Sequence, residues 1–244
     1  MLRRLLPGDF LGDPFDAARN VVLGAVLETN IGGVRTAGLI TEAEVYIGGS
    51  DKASHTYGYR RTERVMSQYE MGGHAYVFLV YGIHAQFCVV LGERDVPNVV
   101  LVRSVMPLWG TDEMLRRRGK IKPDDGIPSR RIKAKLDAAL CAGPGNATKA
   151  LGVTTRLNGV DLCASDEIGL YVPAEPETGA GRDISSHAVM PCSDEALRAI
   201  LSARADEIVE APRVGIDYAE EYAAMKWRYY YRNNRFVSKK LRAQ

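Results

Sequence analysis

Between Val34 and Leu108 three stretches read as β-strands one after another: VRTAGLITEAEVYIG, HAYVFLVYGIHAQFCVVLG and VPNVVLVRSVMPL. Strand regions that follow one another in sequence point to an antiparallel sheet rather than a βαβ order. The second stretch folds about Tyr81-Gly82 as a hairpin, Gly48-Gly49 ends the first, and Pro107 closes the third. A tyrosine at a hairpin tip cannot be buried by its own sheet, so Tyr81 is placed to insert into something else.

Helices flank this block. Asp13 reads as the N-cap of a helix over PFDAARNVVLGAVLETN, with Pro14 at its first position and Ala17, Val21, Val22 and Leu27 near helical spacing. TDEMLRRRG has acids at its start and arginines at its end, as a helix dipole favours. IKPDDGIPSR reads as a loop and IKAKLDAAL as a short helix. Gly143-Pro144-Gly145 breaks the chain before NATKALGV, which Asn146 is placed to cap. The Pro/Gly-rich stretch from Pro173 to Arg182 is expected to lack order, and a helix starts at about Asp194.

With 244 residues, 46% hydrophobic and 25% charged, the chain can fill one core, and a single domain over 1–244 is expected. A net charge of +2 does not by itself identify a polyanion partner. Its distribution says more. KWRYYYRNNRFVSKKLRAQ carries Lys226, Arg228, Arg232, Arg235, Lys239, Lys240 and Arg242 with no acid, interleaved with Trp227, Tyr229, Tyr230, Tyr231 and Phe236. Either this is a last core strand with a solvated end or a nucleic-acid surface. Cys88, Cys141, Cys163 and Cys192 form no CxxC pair and have no ligand-spaced neighbours, so neither zinc nor a disulfide framework is expected and a reducing compartment fits. Pro7, Gly8 and Asp9 interrupt the opening apolar residues before a signal-peptide core, and no run approaches the roughly 20 residues of a membrane helix. A soluble, cytoplasmic protein without a membrane partner is expected.

Glu42, Glu44 and Tyr46 share one face of a strand, and His55 follows beyond the Gly48-Gly49 turn. The group is either a solvated polar face or a carboxylate, phenol and imidazole gathered for acid–base chemistry. Tyr76, Phe78, Tyr81 and Phe87 on the hairpin are equally open to a core-packing reading, the tip excepted.

The order of these pieces resembles the alkyladenine (3-methylpurine) DNA glycosylase family from about Asp16 to Ser238. The strongest stretch is AGLITEAEVYIGGSDKASHTYGYRRTERVMSQYEMGGHAYVFLVYGIH, similar to that family's E-x-Y strand, D-x-A-x-H turn, Arg/Thr-rich loop and G-H-x-Y-V-Y-x-x-Y-G-M-H hairpin. VVLVRSVMPLWG, CAGPGNATKALGV, PRVGIDYA and KWRYYYRNNRFVS follow in the family's order. The resemblance implies an α+β fold, a curved antiparallel sheet with surrounding helices and a protruding hairpin, like the C-terminal domain of methionyl-tRNA formyltransferase. It implies a monofunctional glycosylase of base excision repair, acting as a monomer on damaged double-stranded DNA without metal or organic cofactor. In a bacterial-type cell it would be nucleoid-associated when bound to DNA.

By the same resemblance Glu44 is the general base and Arg103 holds Glu44 and the attacking water. Tyr46, His55 and Phe78 line the base pocket, Tyr81 is the DNA wedge with Ile83 behind it, and Arg60, Arg61 and Arg64 are phosphate contacts. Four departures stand out: Phe78 replaces a tyrosine, Cys88 an asparagine near the pocket floor, Ile83 a methionine, and RTERV the usual R-T-P-R-N. Cys88 is expected to relax exclusion of guanine-type lesions. The rival reading is a binding module on the same fold, catalytically weak or inert, but a pure binder has no use for a carboxylate that repels phosphate.

Overall fold

A computed structural model describes residues 1–121, 138–174 and 189–240. Its ten strands form one sheet: β1 Leu2–Arg4, β2 Val26–Ile31, β3 Val34–Tyr46, β4 Ala75–Val80, β5 His84–Leu91, β6 Asn98–Trp109, β7 Ile168–Pro173, β8 Val189–Met190, β9 Ile208–Ala211 and β10 Arg228–Tyr231. The order is β4-β5-β6-β3-β2-β7-β1-β8, with β10 joining β3 to β9. Every strand pairing is antiparallel. The fold class is α+β, as the run of contiguous strands led one to expect.

β3 is the spine. Its first half pairs β2 as far as Leu39, and its second half pairs β10 from Glu42 to Glu44, while β6 runs along the other edge. Residues Thr36 to Val45 are all buried, so both faces of this strand are covered, charged side chains included. Ala43 and Val45 face the main apolar core, which takes in Leu23, Phe87, Val89, Val100, Val102, Leu115 and Leu151.

Among the described residues the α-helices are α1 Pro14–Asp16, α2 Thr111–Arg117, α3 Pro144–Leu151 and α4 Asp194–Arg204. Asp13 caps α1, accepting from the Phe15 and Asp16 amides. The chain continues in a wider π turn only to Val22, short of the helix expected over Pro14–Asn30. Gly24 takes a left-handed φ of 79°, and Val26, Leu27 and their neighbours are spent on β2 instead. Two other boundaries move. β6 runs past Pro107 to Trp109, because Pro107 pairs Gly38 at a register shift in β3 that tolerates a missing N–H. α3 starts at Pro144 rather than at Asn146, whose side chain donates to the Ala142 carbonyl from inside the first turn. The loop expected over IKPDDGIPSR beyond Ile121, most of the helix over IKAKLDAAL, and the Pro173–Arg182 stretch beyond Ala174 lie outside the described residues.

β4 and β5 meet at a three-residue turn, Tyr81-Gly82-Ile83, between Val80 and His84. Tyr81 and Gly82 both have positive φ, 52° and 71°, which the strand twist favours in a tight hairpin. The tip stands in solvent, with Tyr81 90% and Ile83 74% exposed. The C-terminal run settles mostly into the first of its two readings. Tyr229, Tyr230 and Tyr231 are buried in β10, Arg228 is buried beside Glu42, and Arg232 pairs with Glu207 at the surface. Among the described residues no helix is long and apolar enough to cross a membrane, and no cluster of His, Cys, Asp or Glu is arranged to hold a metal.

Candidate active site

Strand register assembles the site. Tyr76 on β4 sits opposite Cys88 on β5, Cys88 opposite Leu101 on β6, Leu101 opposite Glu44 on β3, and Glu44 opposite Arg228 on β10. Directly opposed residues of an antiparallel sheet share a face, so this row crosses five strands on one side. Residues two further along each strand add Tyr46, Phe78 and Arg103 to that side. Arg103 has a further cause. Between Ala43↔Val102 and Glu42↔Ser104 the register slips, leaving Arg103 as the extra residue of a bulge. Bulges re-aim side chains. Here the guanidinium reaches both carboxylates, Nε to Glu42 at 3.0 Å and Nη1 to Glu44 at 3.1 Å.

The two glutamates, expected to be either solvated or catalytic, are both fully buried, and they differ in surroundings. Glu42 accepts from Arg103, Arg228, the Ser104 hydroxyl and the Ser238 amide, between 2.7 and 3.0 Å. Burial pushes its carboxyl up, but Arg103, Ser238 and Arg228 outweigh that and hold it below the ordinary value. Glu44 accepts the Val214 amide at 2.7 Å on Oε1, and on Oε2 the Tyr46 hydroxyl at 2.9 Å and Arg103. Burial wins there and raises the Glu44 carboxyl despite Arg103, Val214 and Tyr46. Three of about four lone-pair positions are used, and one on Oε1 is left over.

Beside this pair opens a cavity of about 420 Å³, within the roughly 300–1,000 Å³ typical of small-molecule sites. Tyr46, His55, Gln68, Tyr76, Phe78, Cys88 and Arg103 are among its lining residues, and Tyr81 and Tyr218 lie there too. Phe78 is stacked on Tyr76 with ring centroids 5.0 Å apart and meets His55 edge-on at 4.6 Å. His55 Nδ1 is 2.7 Å from the Tyr76 hydroxyl. Burial, helped by Arg64, lowers the His55 pKa, so the ring is neutral at pH 7. Cys88, 2% exposed, is a neutral thiol, its pKa pushed up by burial and then by Glu44.

Several residues here had no signal of their own in the sequence. Arg213 is paired with Asp51, both side chains fully buried, and its guanidinium lies over Tyr46 at 4.5 Å and over Trp227 at 4.9 Å. Asp51 also accepts from the Ala53 and Ile47 amides and so fixes the turn that carries His55. Asp51 and Arg213 stand within quoted motifs, but nothing in their spacing joins them. Tyr76 passed for core packing, and Gln68 and Tyr218 were not singled out.

The three loop arginines part company. Arg61 is held by Asp95 at 2.6 Å and lies over Tyr69. Arg64 donates to the Leu79 carbonyl at 3.3 Å, with its guanidinium 6.0 Å from the Phe78 ring. Arg60 is exposed, with no side-chain partner among the described residues.

Comparison with known proteins bears on the chemistry of such a site. The model of the methylpurine-DNA glycosylase family matches residues 9–235. Relatives carrying the name 3-methyladenine DNA glycosylase include one from Bacillus cytotoxicus, 37% identical over 234 residues, covering 96% of this chain and 98% of the relative. One from Clostridium perfringens is 37% identical over 219 residues, 90% of this chain and 91% of the relative. One from Chlamydia abortus is 34% identical over 221 residues, 90% and 94% of the two chains.

Proposed function

Given that the chain belongs to the methylpurine-DNA glycosylase family, hydrolases that cleave N-glycosyl bonds in DNA, we propose that it swings an alkylated or deaminated purine out of the duplex and hydrolyses its bond to deoxyribose with a water activated by Glu44. The substrates are the 3-methyladenine, hypoxanthine, ethenoadenine and 7-methylguanine class. The observation that carries this reading is a fully buried carboxylate hydrogen-bonded to Tyr46 and Arg103, both of which line an aromatic cavity. Water donates one hydrogen bond to the unused Oε1 position, attacks C1′ and yields its proton to Glu44 as the C1′–N bond breaks. The bonding electrons leave with the base. A cationic base departs neutral, which is why binding and flipping carry so much of the rate. The negative charge of Glu44 also stabilises the positive charge that builds on the sugar.

Tyr46 and Phe78 offer stacking faces, worth about 1–3 kcal/mol per base. This chemistry calls for no metal, organic cofactor or second subunit, and a monomer in the cytoplasm suffices. Arg60, the loop arginine without a partner, is the phosphate contact. Treating lesion duplexes with the enzyme and then with alkali tests the reading: strand breaks at the lesion show an abasic site, and intact strands for every lesion would sink it.

Tyr81 is the wedge that fills the vacated stack. Tyr81→Ala is expected to slow hypoxanthine release about 10- to 100-fold, since filling the gap offsets a few kcal/mol of unstacking and unpairing. At 90% exposure the residue supports no core, so thermal stability should not move. An unchanged release rate would remove Tyr81 from the flipping step.

Cys88 leaves room on the floor for the 2-amino group of a guanine lesion. Cys88→Asn is expected to slow 7-methylguanine release about tenfold or more while sparing hypoxanthine. Equal effects on both lesions would show that Cys88 does not read that group.

A further inference from the structure

Gln68 lies on the 3-10 segment Glu63–Tyr69, is 1% exposed and lines the cavity. Its side chain stands beside the Tyr76 phenol, as does that of Arg64. The same phenol is 2.7 Å from His55 Nδ1. The amide oxygen of Gln68, Oε1, is buried and has no hydrogen-bond partner among the described residues. A buried acceptor left unmade is costly and uncommon, and here it stands at a cavity shaped for a heterocycle.

We propose that Gln68 is a specificity-determining residue whose Oε1 accepts an N–H from the edge of the flipped purine. The inference rests on the glycosylase reading and sharpens its substrate class. Hypoxanthine brings N1–H and 3-methyladenine an exocyclic amine. Ethenoadenine brings neither, because its bridge ties up both nitrogens and leaves only acceptors. Against Oε1 such a base leaves the acceptor unpaired and excludes the water that could have served it. The cavity therefore favours purines that keep an N–H over etheno-bridged ones.

The test is single-turnover release from duplexes carrying hypoxanthine or ethenoadenine, with enzyme in excess. Wild type is expected to release hypoxanthine at least about tenfold faster. Gln68→Met, which fills the same space without a polar atom, is expected to lose roughly 10- to 100-fold on hypoxanthine while ethenoadenine is unchanged or faster. Equal losses on both lesions in Gln68→Met, or a wild type that favours ethenoadenine, would each overturn the assignment. Release of neither base by wild type would instead overturn the glycosylase reading beneath it.

Discussion

Glu44→Gln is expected to abolish base release, by about a thousandfold or more, while lesion-duplex binding persists. General-base contributions run from roughly 10²- to 10⁴-fold, and this carboxylate also faces the developing charge. The amide keeps the size of the side chain, and Arg103 still has Glu42 as a partner, so the fold should survive. The pH profile separates chemistry from packing. The base must be ionised, and burial raises its carboxyl above the ordinary Glu value, so wild-type release falls as pH drops through that raised value. Single-turnover release across pH, with binding followed by fluorescence anisotropy, decides it. Full activity in Glu44→Gln would move the base elsewhere, and loss of binding together with release would make Glu44 a binding or folding residue.

Glu42→Ala is expected to cost the most stability of any single change in the site, about 3–5 kcal/mol, the usual penalty for stranding buried partners of an ion pair. Arg103 and Arg228 both lose the carboxylate, as do the Ser104 hydroxyl and the Ser238 amide, all in a fully buried place. The sign of the pH dependence follows from the lowered Glu42 carboxyl. A depressed folded value means that the ion pairs stabilise the protein above the ordinary value of 4.5, and that this part is lost as pH falls through the lower folded value. Urea melts at neutral and acid pH should show a large deficit in Glu42→Ala that narrows toward acid. A deficit under about 1 kcal/mol at neutral pH would mean that solvent reaches these arginines. Arg103, released from one of two anchors, should also serve Glu44 less well, so base release falls in the folded fraction.

Much of the fold was legible in the chain. Three successive strand patterns gave an antiparallel sheet, the Tyr81-Gly82 tip gave the hairpin and its exposed tyrosine, and Asp13 gave a cap that the structure keeps. These are local matters, set by alternation, by φ and by a side chain two or three residues away. The boundary errors were local too. The apolar run Val21–Leu27 suits either helix or strand, and the open edge of β3 decided it.

For the site, sequence alone put Glu42, Glu44 and Tyr46 on one face and left open whether water or protein covers it. Only the tertiary structure could decide, because the cover comes from Val214, Arg228 and Ser238, more than 160 residues further along the chain. The same holds for the bulge that turns Arg103 toward two carboxylates, for Arg213 meeting Asp51 under Tyr46, and for the unpaired Gln68 Oε1. A residue's type and its spacing from near neighbours are written in the chain. Its burial, its ionisation and its partners depend on which distant segments close over it, and those are fixed only when the sheet has brought them together.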